Sequence, residues 1–192
     1  MSTAGVSLRA ARKSRQLTQA QLAQLAGVDQ ARVSRSEGDD EVPRFDTVDR
    51  LLAGSGHRLY AAPTRRDDAA TAAWRIRGSL ERGDRHDALR HLIQLNDDLL
   101  AESGLVRGVL AVTTPERTGR KVWDAAIAAL VSWRLQEERI PLPDWVADGA
   151  RALQHARVLQ VDPADPVPGD ADVPESFRRH GVLVWRDTFA SV

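Results

Sequence analysis

The sequence predicts an all-α or mainly α protein with two domains joined by a short linker. Apolar residues recur at helical spacing in four short segments before residue 57 and in several longer ones after residue 70. The chain is 42% hydrophobic over 192 residues, which is enough to bury a core. Strand-like patterning is confined to short runs, the clearest of which lies near the C-terminus.

The first two helices are predicted from their caps. Ser7 is a suitable N-cap for a first helix, in which Leu8 would face a core. Thr18 caps a second helix over residues 19–26, whose apolar positions have helical spacing. Gly27 follows it at the position where a helix commonly ends in a left-handed turn.

Two further helices complete the N-terminal domain, which we place at residues 1–62. Asp29 caps the third helix, over residues 30 to about 37. The fourth begins at residue 45 or 46, continues through residue 52, and is introduced by Pro43. Four short helices in about fifty residues make a compact all-α unit.

The second domain, residues 70–161, is also predicted to be mainly helical. Its candidate helices cover about 70–82, 84–102, 119–138 and 143–156. Two apolar runs fit either a strand or a helical structure. Residues 57–62 fit a strand or a last helical turn, and residues 104–113 fit a strand or a buried helix.

The remaining segments are connections and a tail. Residues 63–69 have the composition of a linker. Residues 162–174 contain four prolines and several acids, so we expect an irregular tether there. The tail, residues 175–192, recovers apolar character, and its HGVLVW run is typical of a short strand.

Charge is distributed unevenly although the formal net charge is zero. Six basic residues and one acid occupy positions 1–36, whereas six acids and one arginine occupy the next thirteen positions. A basic face beside an acidic loop suits a domain that docks on a polyanion in one orientation. The chain lacks cysteine, which excludes disulfides and thiolate chemistry. It also lacks an apolar run long enough for a membrane span, so we expect a cytoplasmic protein.

The segment LTQAQLAQLAGVDQARVSRSE, residues 17–37, carries the most specific pattern in the chain. It resembles the helix-turn-helix of the XRE family of phage-repressor-like regulators, and the resemblance extends over roughly residues 7–60. The resemblance implies that the second and third helices bind double-stranded DNA. Ser36 and the acidic GDDE near it depart from the family's pattern, which leaves the length of the third helix open.

The third helix is the predicted recognition helix, because an α-helix fits the major groove of B-DNA and presents side chains to base edges. Glutamine pairs well with adenine, and arginine pairs well with guanine. The residues expected to be exposed for this contact are Gln30, Ala31, Arg32, Ser34 and Arg35.

Contacts to phosphates are expected from the first two helices. Thr18 and Gln19 lie at the N-terminus of the second helix, where the helix dipole and backbone amides attract anions. Arg12 and Lys13, on the expected outer face of the first helix with Arg9 and Arg15, would add sequence-independent attraction. The alternative is that these basic residues are only a solvated helix face.

The second domain carries no strong catalytic pattern, so we expect neither an enzyme nor a cofactor or metal site. His86 and His91 are five residues apart, which is not the spacing that stacks two ligands on one helix face. All five tryptophans lie after residue 73, and we expect most of them in a core. The alternative is that Phe177, Trp185 and Phe189 in the tail anchor a partner protein.

The preferred interpretation is an autoregulatory transcriptional regulator that binds DNA as a homodimer, with one half-site per protomer. The domain order and the composition of the tail are similar, more weakly, to actinobacterial XRE-type antitoxins of nucleotidyltransferase toxins. That resemblance implies an alternative, an antitoxin that neutralises a cognate toxin by direct contact and represses its own operon. A third possibility is an enzyme that uses the N-terminal domain only for targeting.

Overall fold

A computed structural model describes residues 3–38, 42–162, 164 and 166–190, and it confirms a mainly α-helical fold. The N-terminal helices are α1 (Thr3–Ser14), α2 (Gln19–Ala26), α3 (Gln30–Glu37) and α4 (Phe45–Gly54). The second domain contains α5 (Ala69–Glu81), α6 (Arg85–Ala101), α7 (Gly104–Val112), α8 (Lys121–Glu137) and α9 (Glu175–Arg179). Its short strands are β1 (Arg157–Val158) and β2 (Val182–Leu183), and single 3-10 turns cover Asp144–Val146, Gly149–Arg151 and Arg186–Phe189.

The N-terminal helices close around one small core. Leu8 of α1, Leu22 of α2, Val33 of α3 and Leu51 of α4 are each at most 1% exposed. Their burial against one another is what holds helices of eight to twelve residues in place, because isolated helices of this length are marginal in water. The predicted bounds of α2 and α3 are confirmed, and α4 continues two residues further, to Gly54.

Helix α1 begins earlier than predicted. It starts at Thr3, so Ser7 lies inside the helix and is not its N-cap. The reason is a contact outside the N-terminal domain, since Val6 and Ala10 are buried against Ala70 of α5. Burial of this face favours helical structure in the first turns of α1. Helix α1 therefore packs on both domains.

Helix α8 forms the centre of the second domain. Residues 125–131 of this helix are all fully buried, which is the pattern of a helix surrounded by other elements. Helices α5 and α6 contribute Ile76 and Leu92 to the same core. The apolar run at 104–113, open between strand and helix, is helix α7, whose Leu110 faces this core.

The helix predicted at residues 143–156 is wrong. Two separate 3-10 turns occupy part of this segment, and Pro143 precedes the first of them. The Asp148 side chain accepts a hydrogen bond from the Ala150 amide, a local contact that competes with helix continuation. Trp145 fixes the segment on the core, because its indole Nε1 donates to the Ala111 carbonyl at 2.9 Å.

Residues 57–62 form neither a strand nor a last helical turn. Gly56, at φ 74°, ends α4 in the left-handed region. The His57 amide then donates to the Leu52 carbonyl at 2.8 Å, which satisfies one of the last carbonyls of the helix. The chain continues as an irregular connection to Asp68, whose side chain caps α5.

The C-terminal tail is part of the second domain's core. Strands β1 and β2 pair in parallel, with Arg157 beside Val182, and β2 lies in the predicted HGVLVW strand. The described part of 162–174 is irregular, as expected, but Val173 is only 1% exposed, so this segment is docked on the protein. Within the described ranges, no helix is both long enough and apolar enough to cross a membrane.

Two of the three predicted partner anchors are wrong. Phe177 is fully buried and Phe189 is 2% exposed. Both rings meet Trp133 edge-on, at centroid distances of 6.3 and 6.2 Å, and stack on each other at 5.2 Å. Such aromatic pairs stabilise a core beyond their buried area. Only Trp185 remains partly accessible, at 36% exposure, with its indole Nε1 donating to the Pro166 carbonyl at 3.1 Å.

Candidate nucleic-acid interface

Helix α2 begins with a complete capping box. The Gln21 amide donates to the Thr18 hydroxyl at 3.2 Å, and the Thr18 amide donates to the Gln21 side-chain oxygen at 2.8 Å. These two bonds satisfy backbone donors that a helix start leaves without intrahelical partners. The predicted cap at Thr18 is confirmed, and its exposed position keeps the helix start at the surface.

The turn between α2 and α3 depends on a glycine. Gly27 adopts φ 65° and ψ 38°, the left-handed conformation that other residues adopt only at a cost. The Val28 amide donates to the Ala23 carbonyl at 2.9 Å, and Asp29 then caps α3 by accepting from the Arg32 amide at 2.7 Å. The two helices are therefore joined by only three residues, as a helix-turn-helix requires.

One face of α3 is anchored in the core and the other is exposed. Val33 is fully buried, and Ser36 and Glu37 are also buried. The five residues predicted for base contact are all exposed: Gln30, Ala31, Arg32, Ser34 and Arg35. They lie within a single helix of eight residues, so the structure brings together a compact, polar and basic surface. Contact of these residues with DNA stays a prediction.

The expectation that Arg12 lies on the outer face of α1 is wrong. Its side chain is 6% exposed and forms a two-pronged ion pair with Glu37, Nε to Oε1 at 2.6 Å and Nη2 to Oε2 at 2.7 Å. Its Nη1 donates to the Leu17 carbonyl at 2.7 Å. Arg12 thus joins α1, the α1–α2 turn and the end of α3.

Glu37 is the residue of this site that the sequence did not reveal. Besides Arg12, its carboxylate accepts a bond from the Gln19 side-chain amide at 3.2 Å, so this side chain is directed inward, whereas phosphate contact by the backbone amides at Thr18 and Gln19 stays a prediction. Arg12 and Glu37 are 25 residues apart, and no local pattern marks them as a pair. The only available signal was an acid at the end of a helix rich in polar residues.

Of the other basic residues of α1, two are exposed to solvent and one contacts the second domain. Lys13 and Arg15 are exposed, as predicted. Arg9 is half-buried and donates to Glu116 of the second domain at 2.9 Å, so it belongs to the contact between the domains. The acidic loop predicted beside the basic face includes residues 39–41, which lie outside the described residues.

The comparison with known families bears directly on this region. A family model described as a helix-turn-helix domain matches residues 4–57. The N-terminal domain is a helix-turn-helix domain. The match is consistent with the XRE-like resemblance, and it supports a DNA-binding regulator in general. No curated protein and no solved structure matches the chain.

One histidine of α6, His91, lies beside an ion-paired carboxylate. The Asp87 carboxylate accepts hydrogen bonds from the Ser79 hydroxyl at 2.5 Å and from Arg90 at 2.9 Å, and His91 Nε2 lies 3.5 Å from it. The Ser79 and Arg90 bonds lower the pKa of Asp87 to about 2. Among the described residues, no three acidic or histidine side chains meet as a metal site would need.

Proposed function

We propose that this chain is a dimeric, sequence-specific transcriptional regulator that binds the promoter of its own gene and is not an enzyme. The observation that carries this proposal is the exposed face of α3, with Gln30, Arg32 and Arg35 around the buried Val33. Because α3 is held by Val33 and by the Arg12–Glu37 pair, its outer side chains are presented by a fixed support. Preorganised groups lose less entropy when they bind.

Arg32 is the residue best suited to test base recognition. It is exposed, and among the described residues no carboxylate lies within ion-pair distance of its guanidinium. A two-pronged arginine–guanine contact contributes roughly 1–3 kcal/mol of discrimination, so Arg32→Ala should weaken specific binding roughly 5- to 150-fold. The matched control is Arg178→Ala, which removes an exposed arginine from α9 in the second domain.

The deciding experiment is a fluorescence-anisotropy titration at two salt concentrations. The full chain is titrated against the duplex upstream of its own gene and against a scrambled duplex of the same composition. The proposal expects a preference for the promoter that persists at the higher salt, loss of that preference in Arg32→Ala, and no change in Arg178→Ala. Equal, salt-sensitive binding to both duplexes would contradict specific recognition.

Two observations support a dimer: the surface of one protomer that would contact DNA is small, and the second domain has an exposed apolar face. One short recognition helix covers only one half-site, and paired half-sites supply the affinity that operators need. On α7, Leu105, Val109 and Val112 are 83%, 38% and 61% exposed and follow helical spacing on one face. We assign this face to a second copy of the chain.

Light scattering on the full chain tests the dimer. Leu105→Glu should convert a dimer into a monomer without loss of helix content, whereas Glu81→Gln, an exposed change at the end of α5, should leave the mass unchanged. A wild-type protein that is monomeric at micromolar concentration would refute the assignment.

The antitoxin alternative needs a surface that contacts a toxin. Two of the three residues predicted to anchor a partner protein, Phe177 and Phe189, are buried in the core, so we favour the regulator.

A further inference from the structure

A basic cleft lies between the helix-turn-helix domain and the second domain. Its volume is about 510 Å³, and its walls are the end of α1, one face of α5, and the segments 114–117 and 148–151. Five cations line it: Arg9, Lys13, Arg77, Arg117 and Arg151. Only two acids accompany them, Glu116 and Asp148, so the cleft carries an excess of three positive charges.

The two acids do not neutralise the whole cleft. Glu116 accepts from Arg9 at 2.9 Å and lies 3.6 Å from Arg77, which also pairs with Glu81, outside the cleft lining, at 2.8 Å. Asp148 pairs with Arg117 at 2.9 Å. Within the described part of the chain, Lys13 and Arg151 have no carboxylate at ion-pair distance.

Arg151 is the most informative of these residues. Its side chain is buried, with the whole residue 2% exposed, and one nitrogen, Nη2, donates to the Pro115 carbonyl. The other two nitrogens, Nε and Nη1, are buried and have no hydrogen-bond partner among the described residues. Burial and the nearby Arg117 lower the pKa of Arg151 to about 10, which still leaves it charged at neutral pH.

A buried guanidinium with two unpaired donors is costly unless something compensates it. The Trp145 ring, 4.9 Å below the guanidinium, compensates part of the charge but accepts no strong hydrogen bond. An anion in the cleft would supply the missing charge and one of the missing acceptors. Nε and Nη1 lie on opposite edges of the guanidinium, so a phosphate would accept a charge-assisted hydrogen bond from one of them, and Lys13 would add a point charge.

We propose that this cleft binds a small molecule that carries a phosphate group. The volume lies within the range of small-molecule sites. The recessed position of Arg151 suits a small ligand better than the backbone of duplex DNA, which is a wide, convex rod. Because Arg9 and Lys13 belong to α1, the bound ligand would bridge the two domains and bias the orientation of the DNA-binding helices. Phosphate binding itself does not depend on the proposed function.

Calorimetric titration of the full chain with inorganic phosphate and with pyrophosphate tests the site directly. Ionic strength is held constant with chloride, because phosphate also stabilises proteins without specific binding. We expect saturable binding of one anion per chain by the wild type and by Arg178→Met. We expect at least about tenfold weaker binding by Arg117→Met, which removes an exposed cation at the rim. Arg151→Met should abolish binding, and circular dichroism verifies that this variant is folded.

Two results would overturn the proposal. One is the absence of saturable binding by the wild type up to about 10 mM of either anion, and the other is equal binding by Arg117→Met and the wild type. A separate titration with promoter DNA distinguishes a small-molecule site from a DNA contact. Arg117→Met should leave DNA affinity within about twofold, and a larger loss would assign the cleft to DNA backbone phosphates. Because the phosphate titration contains no DNA, its failure is distinct from a failure of the regulator proposal.

Discussion

Replacement of Arg12 by methionine should destabilise the helix-turn-helix domain strongly. Arg12 and Glu37 are 5% and 2% exposed, and their ion pair is one of the few polar contacts inside this small domain. In Arg12→Met the Glu37 carboxylate would remain buried with the Gln19 amide, at 3.2 Å, as its remaining side-chain donor. Breaking one side of a buried pair costs about 3–5 kcal/mol, because the other charge is left uncompensated.

The double variant Arg12→Met/Glu37→Met separates the cost of the unpaired charge from the loss of packing. Methionine is similar in length to both side chains and fills irregular space well. With both charges removed, no buried charge is left uncompensated, although the Leu17 carbonyl loses its bond to Arg12 and the Gln19 amide loses its bond to Glu37. The double variant should therefore lie within about 1–2 kcal/mol of the wild type, and thus be more stable than Arg12→Met.

Urea unfolding followed by two signals measures these differences. Far-ultraviolet circular dichroism reports helices in both domains, whereas all five tryptophans lie in the second domain and report chiefly that domain, with Trp74 beside its contact with α1. Arg12→Met should lower the midpoint of the circular dichroism signal more than that of the fluorescence. A cost below about 1 kcal/mol, or loss of DNA binding at unchanged stability, would refute a structural role for Arg12.

Three further predictions concern the second domain. Phe177→Ala should lower the free energy of unfolding by about 3–5 kcal/mol, whereas Trp185→Ala, at the surface, should lower it by about 1 kcal/mol. Urea unfolding measures both values, and similar losses in the two variants would contradict the packing described. Gly181→Ala should lower the free energy of unfolding by about 2 kcal/mol, because its φ is 71° and a Cβ would lie 2.7 Å from the Leu153 carbonyl oxygen. Gly119→Ala, at φ 81° with no atom within 4 Å of the added Cβ, should lower it less. A larger loss in Gly119→Ala than in Gly181→Ala would contradict this reasoning. The folded state lowers the pKa of Asp87 from 3.8 to about 2, so its contribution to stability is present above pH 3.8 and is lost as the pH falls through about 2. Wild type should therefore lose more stability over this range than Asp87→Asn, and parallel pH profiles would count against the effect.

Local signals were sufficient for the centre of the helix-turn-helix domain. The caps Thr18 and Asp29 and the left-handed Gly27 act within a few residues of themselves, so they can be recognised without the rest of the fold. The exposed face of α3 follows from its helical period once Val33 is assigned to the core. These features depend on sequence neighbours, and for that reason the sequence predicted them.

Features that depend on distant partners were not predictable in the same way. The first turns of α1 are stabilised by Ala70, and Arg12 is turned inward by Glu37, 25 residues away. An aromatic tail has the same pattern whether it packs on its own domain or on another protein. Partners that are distant in the sequence, such as Trp133 on α8, place Phe177 in the chain's own core. Side-chain surroundings, unlike helical period, are a property of the assembled fold.

Helix α1 packs against both the other helices of its own domain and helix α5 of the second domain. Leu8 belongs to the core of the helix-turn-helix domain, whereas Val6 and Ala10 on the same helix pack against α5. Because α1 is a continuous helix, a displacement at its contact with α5 must move its contact with α3 as well, unless one of the two cores is opened. Arg12 makes that coupling direct, since it joins α1 to the end of the recognition helix. A ligand held between Lys13 and Arg151 would therefore act on DNA binding through this helix, without any contact to the DNA itself.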